Sequence, residues 1–158
     1  MPFYQSDDAK NNRPSVDANE AGEAKVVRGF FNMTAALVLN DVIEMVKLPP
    51  DHTIVDAILD SDDIDTNGVP TVAFDVGLMS GTPGDVNLAR TVGTELFAAS
   101  NVGQAGTVAR PTTRGAFRVV PTGVERSIGI KVQTAPATGT AGRQIGLTVY
   151  YRPSRFGA

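Results

Sequence analysis

Residues 60–68 read DSDDIDTNG, a run of carboxylate and amide side chains whose spacing could bind a cation. Within it, Asp63, Asp65, Asn67 and Gly68 match the first half of a calcium loop, D-x-[DN]-x-[DN]-G. A complete loop also needs a bidentate glutamate at its twelfth position, where this chain has Phe74. We therefore predict no metal and no other cofactor. The segment is interpreted as a hairpin-like acidic turn in which Asn67-Gly68 supplies positive φ angles.

A cation site without flanking helices stays open as an alternative for this acidic segment. Its candidate ligands are Asp63, Asp65 and Asn67, with Asp60 and Asp62 nearby.

The residues that most often carry catalysis are scarce. The chain has no cysteine, and His52 is its only histidine, placed after Pro49-Pro50-Asp51 where a surface turn is expected. The glycine-bearing segments 80–85 and 101–107 match neither a phosphate-binding loop nor a dinucleotide fingerprint. The sequence thus predicts a protein that is not an enzyme.

Charge is distributed unevenly along the chain. Residues 51–102 carry nine acidic residues and one basic residue, whereas residues 103–158 carry eight basic residues and one acidic residue. Either the two segments interleave in one sandwich and partly neutralise each other, or they form faces of opposite sign that dock subunits.

The chain as a whole is acidic and its arginines lack interleaved aromatic residues, so we predict no nucleic-acid partner. No apolar run reaches the ~18 residues of a membrane span, so no membrane partner is predicted either.

The elements that must position these residues are short strands. Residues 70–78, 127–134 and 144–152 alternate apolar and polar side chains, which is typical of strands with one face in a core. Less regular strand candidates cover 25–33, 41–48, 53–60 and 115–121. One helical pattern, with Ala89, Val92, Leu96 and Ala99 on one face, predicts a short helix within 85–100. The predicted fold is all-β, a jelly-roll-like β-sandwich over 25–158 with one short helix and an extended N-terminal arm over 1–24.

Three stretches of the sequence resemble a family of phage proteins. They are NDVIEMVKLPPDHTIVDAILDSDDIDTNGVPTVAFDVGL, ARTVGTELFAASNVGQAGTVAR and SIGIKVQTAPATGTAGRQIGLTVYYRP. Together they resemble small capsid-associated structural proteins of tailed bacteriophages, including head decoration (cement) proteins.

The resemblance implies a jelly-roll-like domain on the outer capsid surface of the virion, assembled in the host cytoplasm. Its implied partners are the major capsid protein, whose subunits it would bridge, and further copies of itself in a homotrimer. Because arginine suits protein interfaces, we predict contacts through the arm and through a set of arginines. These are Arg13, Arg114, Arg118, Arg126, Arg152 and Arg155. Two alternatives stay open: a head–tail or tail structural protein of the same virion, and a calcium-dependent carbohydrate-binding β-sandwich.

Overall fold

This computed structural model describes residues 3–6, 10 and 24–154 of the chain. The described part contains nine strands, which form two sheets. In chain order they are β1 (Phe3–Gln5), β2 (Lys25–Asn32), β3 (Val42–Leu48), β4 (His52–Ser61), β5 (Ala73–Leu78), β6 (Phe97–Ser100), β7 (Val108–Ala109), β8 (Arg126–Thr134) and β9 (Gln144–Pro153). A five-stranded sheet has the order β1-β3-β8-β5-β6, and a four-stranded sheet has the order β2-β9-β4-β7.

The order of the strands identifies the fold. From β2 to β5 successive strands change sheet, and β8 and β9 each return to the middle of a sheet, between strands that come much earlier in the chain. All neighbouring strands are antiparallel except β1, which runs parallel to β3. Two four-stranded sheets connected in this way form a jelly roll, with β1 as an added edge strand. The predicted jelly-roll-like sandwich is confirmed.

The core lies between the sheets and comes from the alternating residues. Ile128, Ile130 and Val132 of β8 are fully buried, as are Ile145, Leu147 and Val149 of β9. Burying one such side chain stabilises a fold by about 1.5–3 kcal/mol. Because β8 and β9 are central strands, these residues contact neighbours on both sides as well as the opposite sheet.

The predicted short helix within 85–100 is wrong. Residues 83–84 and 88–89 form turns, and residues 97–100 form β6. The backbone here is held by partners distant in sequence: Ser80 N–H donates to the Thr91 carbonyl at 3.0 Å, and the Glu95 carboxylate accepts from Leu78 N–H at 3.0 Å. These contacts to the end of β5 outweigh a weak helical periodicity that Gly93 already interrupts.

Two other local predictions also fail. Residues 115–121 form no strand, because Arg114–Arg118 folds as a 3-10 helix. The connection after β4 is not a hairpin, since β4 and β5 belong to different sheets. Asn67 and Gly68 are not among the residues with positive φ.

Most of the predicted arm lies outside the described residues, as does Arg13. Within residues 1–24 the structure describes β1, which joins the sheet through the register Phe3↔Val42 to Gln5↔Glu44. No helix in the described ranges is long and apolar enough to cross a membrane.

The acidic and basic segments interleave. Strand β9 lies between β2 and β4, and β8 lies between β3 and β5. Arg110 Nε also lies 3.5 Å from the Asp56 carboxylate. The topology therefore favours mutual neutralisation over two separate faces of opposite sign.

Candidate functional site

Asp65, the central residue of the predicted cation site, is a buried hydrogen-bond acceptor. Only 1% of its surface is exposed. Its Oδ2 accepts from the backbone N–H groups of Thr71 (2.7 Å), Val72 (3.2 Å) and Ala137 (2.9 Å). Its Oδ1 accepts from Thr138 N–H at 2.8 Å. Both oxygens are thus used to join the start of β5 to the β8–β9 connection.

The electrostatics of Asp65 follow from these contacts. Burial by itself raises the pKa of the carboxyl, but the four backbone donors favour the ionised form and lower the pKa to about 2. The carboxylate is therefore charged at any pH near neutrality, and its charge is balanced by N–H dipoles.

The other polar residues of the segment face different partners. Asp62 accepts from Gln144 N–H at 2.8 Å, and the Asn67 side-chain amide donates to Thr138 Oγ1 at 3.0 Å. Asp63 has one buried carboxylate oxygen without a hydrogen-bond partner. In the described ranges no group of three or more histidine, aspartate or glutamate residues could hold a metal ion. Asp65, a candidate ligand in the calcium-dependent carbohydrate-binding hypothesis, already accepts four backbone hydrogen bonds.

Asp60 forms an ion pair across β9, an inner strand of the four-stranded sheet. Its carboxylate accepts from both terminal nitrogens of Arg28, at 2.6 and 2.9 Å. Arg28 belongs to β2 and Asp60 to β4, so the pair crosses the intervening strand β9 at Gly146. A Cβ at Gly146 would lie 2.5–2.7 Å from both groups, so only glycine lets the pair lie flat on the strand.

The structure describes four of the six predicted interface arginines, since Arg13 and Arg155 lie outside the described residues. Arg114 and Arg118 are exposed on the connection between β7 and β8, and Arg152 is exposed on β9. Arg126 differs, because its Nε is buried without a hydrogen-bond partner and desolvation lowers the pKa of its guanidinium.

The connection that carries Arg114 and Arg118, residues 110–125, also exposes large apolar side chains. We call it the arginine loop. Phe117 is 50% exposed, Val120 73% and Val124 64%. Exposed aromatic and aliphatic side chains beside arginines are characteristic of protein interfaces. The sequence prediction identified the arginines of this loop and overlooked its apolar residues.

A buried charged cluster, which the sequence analysis missed, lies on the outward face of the five-stranded sheet. Glu44 is fully buried, and its two carboxylate oxygens lie 3.1 and 3.3 Å from the terminal nitrogens of Arg90. Ser127 Oγ, Gln5 Nε2 and Gly84 N–H donate to the same carboxylate. One feature of the sequence could have indicated this cluster. Glu44 stands within the largely apolar stretch VIEMVKL, and a carboxylate buried in such a strand requires a buried partner.

This cluster fixes the loop between β5 and β6 onto the sheet. Arg90 also donates to the carbonyls of Ser80 (2.7 Å) and Asp85 (3.0 Å), and Phe3 of β1 lies against its guanidinium at 5.7 Å. Burial raises the pKa of Glu44, but hydrogen bonds led by that of Ser127 outweigh it and hold the pKa below its ordinary value. The cluster is thus an ionised pair with its hydrogen-bonding capacity filled.

Beside the cluster lies an open groove of about 490 Å³. One lip is residues 38–40, the other is residues 88–92, and Val42 and Lys131 also line it. Val38, Leu39 and Leu88 are each about half exposed, at 52%, 52% and 53%. This groove, like the arginine loop, has a composition that suits a protein partner.

Solved structures of phage capsids contain similar chains. A chain in the capsid of Ralstonia phage GP4 is 44% identical, with a TM-score of 0.92, over 98% of this chain and 99% of that chain. A chain in the capsid asymmetric unit of cyanophage Pam1 is 30% identical, with a TM-score of 0.66, over 89% of this chain and 94% of that chain. A chain in the acid-stable capsid of Helicobacter pylori bacteriophage KHP30 shares the fold at 14% identity and a TM-score of 0.57, over 86% and 92% of the two chains. No protein-family model and no curated protein sequence matches the chain.

The resemblance inferred from the sequence is thereby confirmed at the level of the capsid. Identity of 44% over nearly the full length of both chains, together with the same jelly roll, establishes common descent. The chain belongs to a family of capsid-associated structural proteins of bacteriophages.

Proposed function

We propose that this protein decorates and cements the capsid shell of a tailed phage by bridging major capsid protein subunits on the outer surface. In this role it acts as a homotrimer and performs no catalysis. The observation that carries the proposal is the 44% identity to a chain in a phage capsid over 98% of this chain. Because the jelly roll buries its own core between two complete sheets, it can fold before it meets a shell.

The arginine loop supports a docking role. It presents Phe117, Val120 and Val124 to solvent together with Arg114 and Arg118, and all five side chains are exposed. An apolar anchor desolvates on binding, while a guanidinium forms bidentate contacts with a carboxylate of the partner. We assign this loop to the contact with the shell.

Repetition explains how such small contacts stabilise a shell. A trimer presents three arginine loops, so binding of the first raises the effective concentration of the other two. The combined affinity then exceeds that of one loop by a factor of about 10²–10⁴. Each contact can therefore be weak while the assembled coat is tight.

The test is reconstitution on purified shells that lack this protein. Wild-type protein is added, the shells are separated from free protein, and bound copies are quantified by mass spectrometry and located by cryo-electron microscopy. We expect many copies per shell on its outer surface, and a higher temperature of shell disruption. Few copies, confined to one vertex, would instead indicate the head–tail alternative.

A paired variant tests the loop. Arg114→Glu with Arg118→Glu is expected to reduce occupancy at least tenfold, because it places carboxylates at both docking positions. Arg143→Glu with Ala105→Glu and Ala141→Glu makes the same change in net charge at exposed residues outside the loop, and it is expected to bind like wild type. Equal binding of the two variants would remove the arginine loop from the interface.

A further inference from the structure

The groove beside the Glu44–Arg90 cluster contains an unpaired cation among apolar side chains. The side chain of Lys131, which lies on β8 between Val42 of β3 and Asp75 of β5, has no hydrogen bond and no ion pair with any described residue, and it lines the groove. Its apolar neighbours at the lips, Val38, Leu39 and Leu88, are half exposed. The chemistry of this groove fits a segment that presents an apolar side chain next to a carboxylate.

Both lips are held in place without any partner. In the first lip, Val38 N–H donates to the Asp41 carboxylate at 2.9 Å and Asn40 N–H donates to the Val132 carbonyl at 2.9 Å. In the second, Ala89 N–H donates to the Asn87 side chain at 2.9 Å. Arg90 anchors that second lip to the sheet through Glu44 and Ser127. A groove formed in advance binds with a smaller loss of conformational entropy.

The chain itself carries a complementary segment close to the second lip. Asp85 and Val86 are both exposed, and Val86 is 64% exposed. The Asp85 side chain has no partner among the described residues, whereas its backbone is fixed: its N–H donates to Thr82 at 3.1 Å and its carbonyl accepts from Arg90 at 3.0 Å. One chain thus presents a free lysine in a groove and a free aspartate beside an exposed valine.

We propose that the groove of one copy receives the Asp85–Val86 segment of a second copy, with Asp85 pairing with Lys131 and Val86 packing against Leu39. This contact is heterologous, since the segment of one copy contacts the groove of the next, and it closes a three-membered ring when successive copies are related by a threefold rotation. The inference rests on the homotrimer of the proposed function and names its contact.

Charge reversal on the isolated protein tests the contact without any shell. Sedimentation velocity is measured for wild type, Lys131→Glu, Asp85→Lys and the double variant. We expect each single variant to weaken self-association at least tenfold, because like charges then meet. The double variant is expected to restore the wild-type trimer. Arg143→Glu, with the same change in net charge as Lys131→Glu, is the control and is expected to sediment like wild type.

A cysteine pair gives a second measurement that does not depend on charge. The chain has no cysteine, so Leu39→Cys and Val86→Cys can be placed on two differently tagged copies and oxidised. A disulfide between the two tags supports the contact. Absence of this disulfide in a sample that sediments as a trimer overturns the proposed contact. A wild-type protein that stays monomeric also overturns it, as does a double variant that fails to recover the trimer.

The test also separates this contact from the proposed function. If Lys131→Glu leaves the trimer intact but lowers shell occupancy, the groove receives a segment of the shell protein and the self-contact is wrong. If all variants behave as expected in sedimentation but wild type does not bind shells, the contact stands and the decoration role falls.

Discussion

Replacing Asp65 tests whether the acidic segment of residues 60–68 serves folding. Asp65→Ala leaves four backbone N–H groups, those of Thr71, Val72, Ala137 and Thr138, without their acceptor in a buried site. An unsatisfied buried donor costs about 1–3 kcal/mol. Taking the lower value for each group, we expect a loss of about 4 kcal/mol in the free energy of unfolding. For a domain of this size that corresponds to a fall in Tm of about 8–16 °C.

The isosteric variant Asp65→Asn should lose less. Its amide oxygen can still accept the three bonds now made to Oδ2, but its NH2 group faces the Thr138 donor and the charge is gone. We expect a loss of about 2 kcal/mol. Asp63→Asn is the matched control, because the Asp63 carboxylate accepts no hydrogen bond from the described residues, and it should stay within about 0.5 kcal/mol of wild type.

The pH dependence provides an independent measurement of the same effect. The folded state lowers the pKa of Asp65 from 3.8 to about 2, so its stabilising contribution is complete above about pH 4. That contribution is lost as the pH falls through 2, and Asp65→Asn should lack this part of the acid dependence. Urea unfolding followed by circular dichroism between pH 2 and 7 measures it. Equal stability of Asp65→Ala and Asp63→Asn at pH 7 would refute the reasoning.

Three further predictions follow from other polar groups. Calcium at millimolar concentration should leave the Tm unchanged and give a flat calorimetric titration, because the Asp65 oxygens are occupied by N–H donors; a saturable heat would contradict this. Arg90→Met should destabilise the fold by about 3–5 kcal/mol in urea unfolding, since it leaves Glu44 charged, buried and unpaired, whereas combining it with Glu44→Gln should recover a measurable part of that loss. Burial raises the pKa of Asp41, so the stability of Asp41→Asn relative to wild type should increase from pH 4 to pH 8; a pH-independent difference would argue against a buried charge.

The central strands could be predicted because their physics is local. Ile128, Ile130 and Val132 alternate with small or polar residues, and the pleat of a strand converts that alternation directly into one buried face. The same rule predicted β9, where Tyr151 is 2% exposed and its neighbour Tyr150 is partly exposed on the other face.

The groove and its lips could not be predicted in the same way. The residues that hold them, Gln5, Glu44, Arg90 and Ser127, are separated by up to 122 positions and meet only once both sheets have formed. Residues 85–100 looked helical because Ala89, Val92 and Leu96 share a helical spacing, yet Leu96 N–H donates to Val76 of β5 and Val92 pairs with Met79 just after that strand. For Asp65 the residue type itself was misleading. An aspartate in this pattern suggested a cation ligand, whereas in the fold its carboxylate accepts hydrogen bonds from four backbone N–H groups.

The position of β9 has a consequence for synthesis of the protein. Residues 144–153 emerge from the ribosome after every other described strand, yet they form an inner strand of their sheet, paired with both β2 and β4. Until they emerge, β2 and β4 have no common partner, and at about 5–20 residues per second the chain from residue 25 to residue 153 takes on the order of 10 s to make. A nascent or prematurely terminated chain therefore lacks a closed four-stranded sheet. Only chains that have been translated through β9 can therefore complete the four-stranded sheet and fold as the full sandwich.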